Sequence, residues 1–523
     1  MAGLLDRERI VAGPGFNRWL VPPAALAIHL SIGQAYAYSV FKLPLTRLLG
    51  VTAPAPGDWS QTEIALVFTT FIVFLGLSAA VFGRWLELVG PRKAGVVAAF
   101  CWGGGYLVSA LAVETHQLWL LYLGNGVIGG CGLGLGYISP VSTLIRWFPD
   151  RRGMATGMAI MGFGGGALIG APLADFLMKR FATPASVGVV ETFVTMGSIY
   201  FVAMLCGAFA YRLPPPGWKP AGWTAPVNAN AMVTSRDVHV ADAWMTPQFL
   251  LLWVVLCTNV SAGIGVLEQA SPMIQEIFKG RVTASAAAGF VGLLSLFNIA
   301  GRIAWASLSD QIGRRATYFI FFSLGILLYA SVPYAGRTGS VALFVGIFCL
   351  ILTMYGGGFA TIPAYLADMF GTRFVGAIHG RLLTAWSTAG VVGPLLVNAI
   401  RQRQVDAGVA PAAAYNTTMY ILAGLLVAGL LCNWMMRPVS ESRFMRDTGP
   451  AKPTAVPRDT VPSSGAALSG AALAGGAARI GAASPPPSDP RQWLAVAAAW
   501  TLVGVPLLWG VLQSIRKASL LFQ

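Results

Sequence analysis

The chain of 523 residues is 56% hydrophobic and only 11% charged, with a mean hydropathy of +0.67. Soluble chains carry about 25% charged residues, so a soluble class is excluded and a polytopic membrane protein is indicated. The formal net charge of +15 does not point to nucleic acid, because the basic residues are scattered through short loops rather than gathered on one face.

Residues 1–18 hold Asp6, Arg7, Glu8, Arg9 and Arg18 and no apolar core, which is not the pattern of a cleavable signal peptide. Apolar runs that can each cross a bilayer lie near 19–44, 62–82, 94–113, 118–141, 154–178 and 192–211. A polar connection at 212–247 separates them from further runs near 248–269, 284–308, 317–334, 341–364, 382–400 and 417–436. The expectation is therefore a six-helix bundle over 19–211, a central loop over 212–247 and a second six-helix bundle over 248–437. Most of the 35 lysines and arginines fall in loops of one face. That bias predicts a cytoplasmic N-terminus and central loop. The expected location of this multi-pass chain is the cell inner membrane.

In span one, Gln34 and Tyr38 are four residues apart and share a helix face, which makes them candidate pocket residues. Tyr36 lies about 200° away, so all three cannot line one pore. His29, in the same span, is either a proton relay or a packed core residue. After span two, Gly83-Arg-Trp-Leu-Glu87-Leu-Val-Gly90-Pro-Arg92 has a counterpart after span eight, Ala306-Ser-Leu-Ser-Asp310-Gln-Ile-Gly313-Arg314-Arg315. One constant offset relates Gly90 to Gly313, Arg92 to Arg315, Pro140 to Pro363 and Gly170 to Gly393. An offset one residue shorter relates Phe148 to Phe370 and Pro172 to Pro394. Two similar bundles facing each other across a cleft would give that repetition.

Spans four and five are rich in glycine, which lets helix backbones approach closely. Tyr137 and Tyr355 sit at the ends of the glycine runs of spans four and ten; substrate contact, bundle packing and interfacial anchoring are all compatible with them. Asp175, Glu268 and Asp368 fall near span ends and are expected to face water or loops.

Span eight carries the most informative residue. Arg302 stands alone in the apolar run Ala286–Leu308, eight residues before Asp310. At 1.5 Å per residue it is rooted roughly 12 Å deep in a hydrocarbon core about 30 Å thick. A charge there is costly unless it faces a partner or a water-filled cavity, so intramembrane arginines are candidate functional sites. Ser295, Asn298 and Arg302 share one face. Snorkelling or bonding to backbone carbonyls is the alternative role for the arginine.

The six cysteines fall inside apolar runs, and only four histidines are present. No metal set, disulfide framework or nucleophile–base pair can be assembled from spacing, so neither a cofactor nor an enzyme is expected. Residues 438–491 are rich in Ala, Gly, Pro and Ser and read as a flexible linker. The final segment, 492–523, holds an uncharged stretch over 493–513 that can span, or lie along the interface.

The paired loops resemble the signature loop of the major facilitator superfamily, with Glu87 and Ala306 as departures from it. The resemblance implies that Arg84, Glu87, Arg92, Asp310, Arg314 and Arg315 act in gating, an acid at a helix end clasping the next bundle; an ordinary charged loop is the alternative. The stretches YISPVSTLIRWFPDRRGMATG (137–157), GGGFATIPAYLADMFG (356–371) and GRLLTAWSTAGVVGP (380–394), with Tyr36-Ala-Tyr38-Ser-Val-Phe and Trp59-Ser, narrow this. They resemble the oxalate/formate antiporter family, which is related to the monocarboxylate transporters. That resemblance implies an all-α fold of two six-helix bundles around a central cleft, and that Arg302 binds a substrate carboxylate. The oxalate transporter of that family has a second cation, a span-eleven lysine, where this chain has Trp386. Animal-type monocarboxylate transporters have an aspartate where this chain has Asn298. One cation matches one carboxylate, so a monocarboxylate such as formate, lactate or pyruvate is expected, carried by exchange. The last helix resembles a short accessory subunit found near such transporters. It is expected to cross as a thirteenth span and pack on the bundles of a monomer, with small carboxylate and lipid as the partners. A carboxylate-binding membrane sensor, an oxalate or dicarboxylate carrier and a proton-coupled carrier of the same fold remain the alternatives.

Overall fold

The computed structural model of the chain describes residues 3–224, 232–445 and 490–521. Most of the segment read as a linker, residues 446–489, lies outside the described residues. Within them the chain is helical, and its only β features are isolated bridges. Among the described residues, twelve helices are long and apolar enough to cross a membrane. They are spans two to six (Gln61–Val89, Pro91–Glu114, Leu118–Trp147, Arg152–Phe181, Val189–Ala210), span seven (Pro247–Ile277) and span eight (Ala284–Ile312). Spans nine to thirteen are Arg314–Thr338, Val341–Phe370, Val375–Asp406, Pro411–Trp434 and Pro490–Ala518.

Span one adds a crossing in three pieces: Val21–Ile32, a 3-10 stretch Gly33–Ala37, and Ser39–Leu45. The break begins where spans one and five touch backbone to backbone. A Cβ on Gly33 would stand 2.2 Å from the Phe163 carbonyl oxygen, so only glycine allows this crossing. The repeated loops fold alike. Gly90 and Gly313 end spans two and eight, each with φ of +87°, a backbone conformation that side chains bearing a Cβ rarely adopt.

Arg92 and Arg315 occupy equivalent places and do equivalent work. Arg92 is buried and donates to the carbonyls of Leu4 (3.1 Å), Phe209 (3.0 Å) and Tyr211 (3.2 Å), so it closes the end of span six. Arg315 donates to the carbonyls of Asn433 (3.3 Å) and Trp434 at the end of span twelve. All five bonds stay within a single bundle, which moves these two residues from the expected gating set to a structural role. Arg92→Ala would leave three carbonyls without their charged donor. It is expected to destabilise the chain by about 2–3 kcal/mol, read as a lower thermal midpoint in detergent with transport per folded molecule retained.

Span thirteen runs beside spans one, five and eight. At one end, Gln492 accepts from the Asn17 N–H (2.8 Å) and donates to the Gly15 carbonyl (3.1 Å). Along its length, a Cβ on Gly165 would meet Leu507 at 2.7 Å, and one on Gly292 would meet Ser514 at 3.3 Å. At the other end, Lys517 lies against Gly289, near the start of span eight.

Candidate anion site and its latch

Arg302 is fully buried and points between the two bundles. Its Nε donates to Asn298 Oδ1 (3.1 Å) one turn earlier, and its Nη1 donates to the Ile160 carbonyl of span five (3.1 Å). The third nitrogen, Nη2, has no hydrogen-bond partner. No ion pair to Arg302 occurs among the described residues. The guanidinium lies 5.4 Å from the Phe359 ring centroid and 5.9 Å from that of Phe163, within cation–π range. Glycines of span five make the approach feasible: a Cβ on Gly164 would sit 3.1 Å from Arg302 Nε, and one on Gly157 would sit 2.8 Å from its carbonyl oxygen.

Around this cation the two bundles contribute aromatic residues with polar edges. Trp386 of span eleven packs against Phe359 (4.9 Å), Phe163 (5.2 Å) and Tyr137 (5.2 Å). The Tyr36 and Tyr355 hydroxyls meet at 3.1 Å across the bundle interface. The Tyr137 hydroxyl and the Trp386 indole nitrogen are buried and have no partner. A buried donor left unpaired costs about 1–3 kcal/mol, and here an arginine N–H, a phenol and an indole N–H carry that cost in one aromatic enclosure. A small anion is the ligand that such donors can satisfy together.

Of the candidate pocket residues, Arg302, Asn298, Trp386, Tyr137 and Tyr355 fall in this region. Gln34 and Tyr38 do not. They line a small cavity inside the N-terminal bundle with Phe68, Trp102, Tyr106 and Asn125. The stretch Gly33–Ala37 is 3-10 rather than α-helical, so the angles read at 100° per residue do not carry over, and it is Tyr36 that meets the other bundle. Spacing also gave no sign of Phe163 and Phe359. His29 is held by the carbonyls of Ala159 and Tyr137 (3.2 Å).

The face of the protein that carries the N-terminus is closed by an exchange of acids. Glu87, at the end of span two, pairs with Arg146 and accepts the Gly376 N–H (3.0 Å) at the start of span eleven in the other bundle. Asp310, at the end of span eight, accepts the N–H groups of Gly153 (2.8 Å) and Met154 (2.9 Å) at the start of span five. Helix starts offer unpaired N–H groups and a partial positive charge, so each acid caps a helix of the opposite bundle. Arg314 joins Asp310 (2.6 Å) to Asp368 (2.9 Å), and Asp368 also pairs with Arg152 (2.9 Å) across the interface. Asp368, expected to face water, is therefore buried in the latch. Arg84 is exposed and stands outside it. Arg146, Arg152 and Asp368 were not singled out by the sequence motifs. The offset that relates Phe148 to Phe370 also relates Arg146 to Asp368, and that is the signal that could have found these two; it gives no sign of Arg152.

A family model described as Major Facilitator Superfamily matches residues 15–394. The oxalate:formate antiporter of Oxalobacter formigenes is 27% identical over 378 residues, covering 72% of this chain and 83% of that protein. Monocarboxylate transporter 11 of Homo sapiens is 26% identical over 431 residues, covering 80% of this chain and 82% of that protein. Among solved structures, the transporter FucP in its outward conformation superposes with a TM-score of 0.57 at 14% identity, over 80% of this chain and 99% of that one. That likeness concerns the fold alone.

Proposed function

Since the chain belongs to the major facilitator superfamily and is a membrane transporter rather than an enzyme, we propose that it carries a small monocarboxylate, with Arg302 as the anion-binding group. The observation that carries this reading is a fully buried guanidinium with an unpaired Nη2 and, among the described residues, no acid paired with it. The oxalate:formate antiporter and monocarboxylate transporter 11, both similar over most of this chain, support an organic acid as the cargo. Trp386, where the related oxalate transporter has a lysine, leaves one cation for one carboxylate and favours formate, lactate or pyruvate over oxalate. The uncharged Asn298 beside the arginine leaves no carboxylate there to carry a proton.

Exchange follows from the same charge. An empty site that closes must bury an uncompensated cation, whereas a loaded site closes around a neutral pair. The loaded form therefore rocks faster, and net flow without a counter-substrate is slow. We place the latch on the cytoplasmic side of the inner membrane, with a monomer as the working unit and span thirteen packed on it. Counterflow in proteoliposomes tests the proposal. Labelled pyruvate, lactate or formate is expected to accumulate only when unlabelled carboxylate is trapped inside. Uniport as fast as exchange, or preference for oxalate across the panel, would overturn it.

A further inference from the structure

His379 lies in the first stretch of span eleven (Val375–Leu382), one turn past Gly376 and seven residues before Trp386, about 10 Å along the helix. It is 1% exposed, and neither ring nitrogen has a hydrogen-bond partner. An imidazole always carries at least one N–H donor, so this burial is costly in the closed state. A group retained at such a cost calls for a state in which it is satisfied.

The neighbours of His379 identify that state. The Tyr137 ring of span four is 5.9 Å away, and its hydroxyl is also without a partner. Span one contributes His29, whose ring nitrogens are occupied by backbone carbonyls. Span two contributes backbone: a Cβ on Gly380 would stand 2.2 Å from the Ala79 carbonyl oxygen, and one on Gly83 would stand 2.9 Å from Ala377. Among the described residues, the titratable groups beside this ring are His29 and Tyr137, and both belong to the opposite bundle. His379 is thus buried by the closure of the Glu87–Gly376 side of the latch. When the bundles part there, water reaches it.

We propose that His379 forms a second carboxylate site on the latch side of Arg302, assembled only when the latch opens, with the Tyr137 hydroxyl of the Arg302 enclosure shared between the two sites. In that state the imidazole takes a proton from the cytoplasm and becomes a cation with two donors. It receives the carboxylate leaving Arg302, and on the return stroke it presents the incoming one. The closed state gives the ring no anionic partner, so the proton returns to the cytoplasm as the anion moves on. The cycle carries no net proton. This site rests on the reading of Arg302 as the anion-binding group, and the two can be tested apart.

The test is sidedness, with labelled pyruvate as the probe in right-side-out and inverted membrane vesicles. His379→Asn is expected to raise the KM at the cytoplasmic face about five- to tenfold while leaving the KM at the outer face unchanged. In the unaltered protein the cytoplasmic-face KM should rise as cytoplasmic pH goes from 6 to 8, and this dependence should flatten in the variant. His379→Phe, which removes the orphaned polar atoms, serves as a second variant and should behave alike. Equal KM changes at both faces, no change at either, or a pH dependence that survives the substitution would overturn the proposal. Arg302→Gln in the same vesicles should weaken binding at both faces. If it does not, the anion-site reading fails, while the His379 comparison still reads on its own.

Discussion

Arg302→Gln is expected to lower carboxylate counterflow at least ~100-fold, equivalent to about 2.7 kcal/mol, without loss of folding. The glutamine amide nitrogen ends near the position of the arginine Nε, so it can still donate to Asn298, while the Ile160 carbonyl loses its donor. What disappears is the positive charge and the free Nη2. Breaking a charge-assisted contact in a dry enclosure is among the largest losses that one side chain can produce. The thermal midpoint of the empty protein is expected to stay level or rise, because an uncompensated buried cation has been removed. Arg302→Lys should fall between the two: it keeps a charge but lacks the planar fork. Counterflow beside thermal unfolding of the same preparations checks all three. A glutamine variant that transports within tenfold of the original protein would remove the arginine from the mechanism.

Asp310→Asn is expected to have the largest effect on the conformational equilibrium. The carboxylate holds two N–H groups of span five and one arginine, and Asn preserves the shape while removing the charge. Hydrogen bonds to charged groups are worth about 1.5–3 kcal/mol, so the population with the latch open should grow about tenfold to a hundredfold. Hydrogen–deuterium exchange reads this directly, since the amides of Gly153, Met154 and Gly376 are protected only while the bundles are clasped. Faster exchange is expected in peptides covering 152–158, and also in those covering 374–380, which the substitution does not touch. Unchanged exchange in both would show that the acid does not hold this face closed.

The sequence made the architecture legible wherever a local pattern carried the information. The apolar runs marked the spans, the constant offset marked the two halves, and the Gly90 and Gly313 turns recur with the same dihedral angle. Arg302 was visible because a lone charge in an apolar helix is conspicuous without any partner. The inward face of span one was not legible. That helix is apolar nearly all round, so its periodicity does not say which side meets the other bundle. The latch was legible in its acids, Glu87 and Asp310, but not in what they hold. Their partners are backbone N–H groups of distant helix starts, which leave no trace in side-chain chemistry. Asp368 was misplaced for a related reason: position near a span end indicates water only when no neighbouring bundle covers that end.

Arg92 and Arg315 bear on how such a machine can move. Each fastens the start of one helix to the finish of the last helix of its own half, like a rivet that closes a barrel hoop. Neither reaches across the divide. Deformation inside a half is thereby resisted, and thermal agitation is channelled into one coordinate, the tilt of one stiff shell against another. The acids at the divide then work as a clutch on that single motion.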